Sequence, residues 1–150
     1  MQARSSVQCP VSPDRVNENV TRLVAGYTLL LTPVLLYLKA DFFFFLMAAD
    51  FTIRAFTKDG YSLLRHLAKA TADYVGLQSQ LIDAAPKRFA AGVGMVFCVM
   101  IAVLQIMQYN TAAVIIGGIL MVCAFLEAVF AYCVGCIVYT YLVLPFLKKP

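Results

Sequence analysis

The chain has 150 residues, 62% hydrophobic and only 13% charged, with a net charge of +4 and a mean hydropathy of +0.82. Soluble domains run at about half apolar and a quarter charged, so this composition belongs to a multi-span membrane protein with one domain, residues 1–150. The basic excess forms no stripe with interleaved aromatics, which excludes nucleic acid and leaves membrane lipid as the expected surroundings.

Residues 1–20 are polar, hold Pro10 and Pro13, and lack the short apolar core of a secretory signal. Ser12 is placed to cap a helix that starts at Pro13 and carries Asp14 in its first turn. That helix becomes apolar from Leu23 to Leu38, with Pro33 expected to bend it, and gives a first span over about 17–38. Lys39-Ala40-Asp41 is a polar turn, Asp41 serving as the cap of the next helix. The second span, about 41–57, opens on four phenylalanines, holds Asp50 and Arg54, and ends towards Gly60 as a C-terminal cap. It is short for a bilayer that takes about 20 residues to cross.

Residues 62–75 differ in kind. Leu63, Leu64, Leu67, Thr71, Tyr74 and Val75 recur at helical spacing, with Arg65, His66, Lys69 and Asp73 on the other side and Ser62 as the cap. The pattern predicts an amphipathic helix along the membrane surface, or a linker helix packed on the bundle. After a connector, Pro86 opens the third span, about 87–107, where Gly92 and Gly94 offer close helix contact. The last apolar run goes from Thr111 towards Leu144, with a span over about 111–134. It exceeds one crossing, so it must tilt, bend near Gly135 or emerge.

The expected fold is therefore all-α: an integral membrane four-helix bundle with an additional cytoplasmic-side surface helix. Eleven of the twelve Lys and Arg residues fall in the N-terminal arm, the 54–88 region and the C-terminal tail, Lys39 alone standing in an opposite loop. The positive-inside rule then puts both termini in the cytoplasm.

That topology gathers the polar inventory at one end. Glu18, Arg22, Asp50, Arg54, Arg88 and Glu127 all fall in or near the inner half of the bundle, counted at about 1.5 Å per residue. Glu18 precedes Arg22 by four positions and Asp50 precedes Arg54 by four, the spacing of helical ion pairs. Glu127 has no such neighbour, so Arg54 or Arg22 is its expected cation. These charges either lock the helices together or form a pocket that binds an anion or moves a proton.

Of the five cysteines, Cys98 and Cys123 sit in apolar runs as small hydrophobes. Cys133 and Cys136 form a Cys-x-x-Cys pair at the inner level, and Cys9 hangs from the arm on the same side as a third thiol. In a continuous helix the pair lies late, where the dipole disfavours a thiolate. Glu127 stands about 120° from Cys133 and opposite Cys136, so it is no obvious base for either. Without a second pair or histidines at ligand spacing, neither a metal nor a cofactor is expected.

Four ordered motifs carry a resemblance: Cys9-Pro10-Val11 with Arg15-Val16-Asn17-Glu18-Asn19; Asp50-Phe51-Thr52-Ile53-Arg54-Ala55-Phe56; Asp83-Ala84-Ala85-Pro86-Lys87-Arg88-Phe89-Ala90-Ala91-Gly92; and Phe125-Leu126-Glu127 with Cys133-Val134-Gly135-Cys136. Over nearly its whole length the chain resembles a bacterial four-span membrane family described only as a domain of unknown function. It is also loosely similar to the small DoxX and MauE type membrane proteins of sulfur and thiol chemistry. The resemblance implies a location in the bacterial inner membrane and a thioredoxin-like or sulfurtransferase partner.

Three functions are expected from these readings. The first is thiol–disulfide exchange or sulfur relay through Cys133 and Cys136, with Cys9. The second is a structural or accessory subunit of a homo- or hetero-oligomeric membrane complex, its cysteines serving packing. The third is a small-anion carrier using the arginines, which the lack of paired broken helices or an internal repeat counts against.

Overall fold

The computed structural model describes residues 15–57 and 61–147. Among these residues three helices are long and apolar enough to cross a membrane: α1 (Glu18–Tyr37), α4 (Ala84–Ile106) and α5 (Asn110–Phe130). At about 1.5 Å per residue each spans roughly the 30 Å of a hydrocarbon core. Between them come α2 (Asp41–Phe56) and α3 (Leu63–Val75). After α5 the chain restarts as α6 (Val134–Val138), widens into a π-helical turn (Tyr139–Val143) and ends in α7 (Leu144–Leu147).

Among the described residues the regular structure is helical apart from one small ribbon that the all-α expectation lacked. Strand β1 (Arg15–Asn17) pairs antiparallel with β2 (Leu81–Asp83), Val16 opposite Ile82. The ribbon ends in two caps: Asn17 accepts the Asn19 N–H at 3.1 Å, and Asp83 accepts the Ala85 N–H at 3.2 Å. It therefore holds the starts of α1 and α4 side by side. The physical reason is backbone accounting: two connectors meet here, and each supplies the partners the other needs. Glu18 N–H reaches Gln80 O at 2.8 Å and the Asn19 side chain reaches Gln78 O at 2.6 Å. α1 thus begins at Glu18, capped by Asn17, and the expected cap at Ser12 lies outside the described residues, as does Gly60. At the second helix the cap position falls to Ala40, with Asp41 in the first turn instead.

α2 packs on α4, α4 on α5, and α5 back on α1. Their shared core is built from Phe44, Met47 and Phe51 of α2, Cys98 and Ile101 of α4, and Leu120 of α5. Gly94 brings α4 under the Phe51 ring, where an added Cβ would stand 2.9 Å from it. The outward faces stay apolar: Leu30, Phe43, Phe45, Val96, Val103, Ile115 and Val122 are exposed. A surface of this kind is what lipid, not water, tolerates.

α3 packs on α1 through Leu64, Ala68 and Ala72, which meet Val20 and Val24. Its start is tied to α2. The Ser62 hydroxyl lies 2.8 Å from both carboxylate oxygens of buried Asp50 and donates to them, and Asp50 also accepts the Leu64 N–H at 3.3 Å. Ser62 in turn accepts the Arg65 N–H at 3.2 Å as the N-cap. Asp50→Ala strands a hydroxyl and an amide in a buried place, at a cost of roughly 1–3 kcal/mol. Hydrogen exchange is expected to speed up at residues 62–66 and not along α4 or α5. Equal acceleration in all helices would show that Asp50 serves the whole bundle instead.

Candidate functional site

The apolar run after Thr111 does not continue as one helix. α5 stops at Phe130, and Ala131 takes a left-handed conformation (φ 55°) with no glycine or proline to prompt it. The carbonyls of Leu126, Glu127, Ala128 and Val129 in the last turns find donors. Ala131 N–H bonds Glu127 O and Tyr132 N–H bonds Leu126 O, both at 3.1 Å. Arg22, from α1, donates through Nε to Ala128 O (3.2 Å) and through Nη2 to Val129 O (3.1 Å). A cation at a helix C-terminus also meets the negative end of the dipole. The break therefore depends on Arg22, which leaves its expected helical partner Glu18 to do this.

The break moves the cysteine pair to a new position. Cys133 is the N-cap of α6, not a residue late in a helix, and its Sγ accepts the Cys136 N–H at 3.3 Å. Cys133 and Cys136 form a disulfide, their Cα atoms 5.1 Å apart, inside the usual range for such bonds. Cys133 is buried and Cys136 half-buried. Gly135 lies so close to α4 that a Cβ there would stand 2.7 Å from both Cα and Cβ of Ala90.

Two chambers meet at this bond. An inner cavity of about 330 Å³ runs between α1, α2, α4, α5 and α6, with Cys133, Cys123, Arg54, Glu127, Thr28 and Phe97 among its walls. An outer cleft of about 500 Å³ is bounded by Cys133, Cys136, Glu18, Lys87, Tyr132 and Thr140. Cys133 borders both; Cys136 borders the cleft.

The charges are shared out differently from the helical spacing. Glu127 pairs with Lys87, Oε1 to Nζ at 2.7 Å, their side chains 20% and 11% exposed. The expected cation was Arg54 or Arg22. Lys87 takes the place because the first turn of α4 faces the last turn of α5, a tertiary register that spacing within one helix does not carry. Asp50 turns to Ser62, so no Asp50–Arg54 ion pair closes, and Arg54 keeps a buried Nη1 that has no partner among the described residues. Its guanidinium carbon sits 5.2 Å from the Phe51 ring centroid.

Arg54 also reaches a pocket of about 50 Å³ whose other charged walls are Arg15, Arg65, Lys87 and Arg88, all basic. The expected gathering of charges therefore divides. Arg54 and Glu127 share the inner cavity, Arg54 and Arg88 the small basic pocket, and Glu18 lies on the outer cleft. Asp50 belongs to the α2–α3 joint, and Cys9 lies outside the described residues. Among the described residues Cys98 and Cys123 are free, and no three His, Cys, Asp or Glu residues stand close enough to hold a metal.

Ser62 was expected as the cap of α3 but not as the partner of Asp50, and Lys87 was not expected as the partner of Glu127. A signal for Lys87 was present: it stands at the entry of the third span, at the depth Glu127 reaches.

Comparison with known proteins gives one family. The family described as "Domain of unknown function (DUF4395)" matches residues 16–143. No curated protein and no solved structure matches the chain.

Proposed function

The chain belongs to the family described as domain of unknown function DUF4395, and from its own geometry we propose that it is a thiol–disulfide protein of the bacterial inner membrane. In this reading α1, α2, α4 and α5 cross the bilayer as a four-helix bundle, the 16 residues of α2 being extended by its flanks. α3 lies along the interface. Leu64, Ala68 and Ala72 hold it to the bundle, while exposed Leu63, Leu67 and Tyr74, adjacent on the helix, enter the headgroup region. The weight of Lys and Arg puts both termini and the 57–83 segment in the cytoplasm, and with them the Cys133–Cys136 bond.

The observation that carries the reading is the disulfide at a helix break, with one sulfur buried and the other accessible from a cleft. An incoming thiolate attacks Cys136 Sγ, the S–S bond breaks, and Cys133 leaves as a thiolate into the hydrogen bond already offered by the Cys136 N–H. A second thiol of the partner then attacks the mixed disulfide and releases Cys136 reduced. The partner leaves oxidised, with two electrons transferred to the pair. A dithiol protein of the thioredoxin type has this chemistry.

Alkylation of native membranes tests it. Cys133 and Cys136 are expected to label after reduction and to resist labelling after oxidation, and Cys133→Ser should trap a mixed disulfide through Cys136. Labelling that is the same under both conditions would remove the proposal and favour a packing role in an accessory subunit.

A second reading, small-anion binding, is favoured by the basic pocket around Arg54, Arg65 and Arg88. Vesicle uptake indifferent to Arg54→Ala would dispose of it.

A further inference from the structure

The inner cavity has a chemistry of its own. Its wall is mostly apolar, with Phe51 and Phe97 supplying ring faces and Thr21, Thr28, Arg54 and Glu127 as the polar exceptions, and Cys133 borders it. Arg54 lines the cavity, and its Nη1 is fully buried and unpartnered among the described residues, so a small turn of the side chain would bring it to a ligand there. Leaving a charged donor unmade is costly, so a ligand with an acceptor oxygen gains by meeting it. The mouth is apolar as well: Val93, Ile119 and Val138 line the cavity yet are 36, 45 and 39% exposed. Val93 and Ile119 belong to α4 and α5, two of the helices long and apolar enough to cross a membrane. With the bundle in the bilayer as proposed, that opening faces lipid, whereas the cleft bordering Cys136 adds the charges of Glu18 and Lys87 to apolar walls such as Ile82, Pro86 and Ile137 and, in the same topology, lies at the cytoplasmic end. The disulfide therefore stands between a lipid-side chamber and a cytoplasmic-side one.

We propose that the inner cavity binds the ring of a membrane quinone, which reoxidises the Cys133–Cys136 dithiol after the pair has been reduced from the cleft. The inference rests on the thiol–disulfide reading. At about 330 Å³ the cavity falls at the small end of ligand sites, about 300–1,000 Å³, enough for a substituted ring whose tail leaves through the mouth into lipid.

Arg54 donates to one quinone oxygen and withdraws electron density from the ring. The Cys133 thiolate adds to a ring carbon, forming a C–S bond. Cys136 then loses its proton and attacks Cys133 Sγ. The S–S bond forms, the C–S bond breaks, and its electron pair stays on the ring. Two thiols are oxidised to one disulfide, and the quinone leaves as hydroquinone with the two protons on its oxygens.

The test uses the full chain in nanodiscs, reduced, freed of reductant, and then given either decylubiquinone or the water-soluble oxidant diamide. One decylubiquinone is expected to be consumed for each Cys133–Cys136 disulfide formed. Arg54→Leu should lower the quinone rate relative to the diamide rate by about tenfold or more, the worth of one hydrogen bond to a charged group. Val93→Trp, which narrows the mouth, should lower the same ratio; the diamide rate corrects for the reactivity of the thiols themselves, and a thermal unfolding transition reports that each variant is folded. Closure by diamide but not by decylubiquinone overturns the quinone and leaves the thiol reading standing. Quinone rates untouched by both substitutions place the reaction outside the cavity and overturn the proposal too. A pair that neither oxidant closes sinks both.

Discussion

Lys87→Met is expected to destabilise the protein more than any other single charge removal, and adding Glu127→Leu is expected to restore most of the loss. The ion pair is short, 2.7 Å, and both side chains are largely withdrawn from solvent. Removing one partner of a buried pair costs about 3–5 kcal/mol, because the other charge stays desolvated and alone; removing both is often close to neutral. With Glu127 20% exposed, the lower end of that range applies. The two single losses differ. Lysine has a long stem and can lift its ammonium towards water, whereas the glutamate is held in the last full turn of α5, so Glu127→Leu should be the milder change. Arg54 complicates this usefully, since it shares the cavity wall with Glu127. If its guanidinium swings across to take the place of Lys87, the loss shrinks, and Lys87→Met combined with Arg54→Leu brings it back. Thermal unfolding in detergent for the four variants gives the coupling directly. Additive losses would show that Lys87 and Glu127 do not act as a pair.

The parts of the fold that depend on solubility in hydrocarbon were legible, because composition alone carries them. The apolar runs expected from Leu23 to Leu38, at about 87–107 and from Thr111 onward fall in three helices long enough to cross a membrane, the last of them ending at Phe130, and Ser62 caps α3 as its residue type suggests. What was not legible depends on partners distant in sequence. The end of α5 has neither glycine nor proline, and it is held by Arg22, 106 and 107 positions earlier. The ribbon likewise joins 15–17 to 81–83 and has no local signal beyond three residues on each side. Spacing of four within a helix offered Glu18 to Arg22 and Asp50 to Arg54. Such pairs are worth only about 0.2–0.5 kcal/mol. Two backbone carbonyls for Arg22, and a hydroxyl with an amide for Asp50, outweigh them. The site followed from those choices: once Arg22 ended α5, Cys133 became a cap and the cysteine pair came to lie between two chambers.

Gly135 sets how thin the partition between those chambers is, and Gly135→Ala should show it. On an exposed helix face, replacing glycine with alanine gains up to about 1 kcal/mol through helix propensity. Gly92 and Gly118 are half-buried but have open space, with nothing within 4 Å of an added Cβ, so their alanine variants should be neutral or slightly stabilised. At Gly135 the same atom would stand 2.7 Å from Ala90 Cα and Cβ, and a backbone atom of α4 cannot rotate away as a side chain can. Overpacking of this kind costs about 1–3 kcal/mol, relieved here by lifting α6 off α4. Ala90→Gly in the same chain removes the methyl group from the clash but leaves the α4 backbone in the way, so it should recover only part of the loss. Lifting α6 also carries Cys133 away from the cavity wall. Gly135→Ala should therefore make the disulfide easier to reduce from the cleft, in addition to lowering the unfolding temperature. A variant that loses stability while its disulfide reduces at the wild-type rate would mean that α6 gives way beyond the cysteines and the partition is held by the α5 break alone.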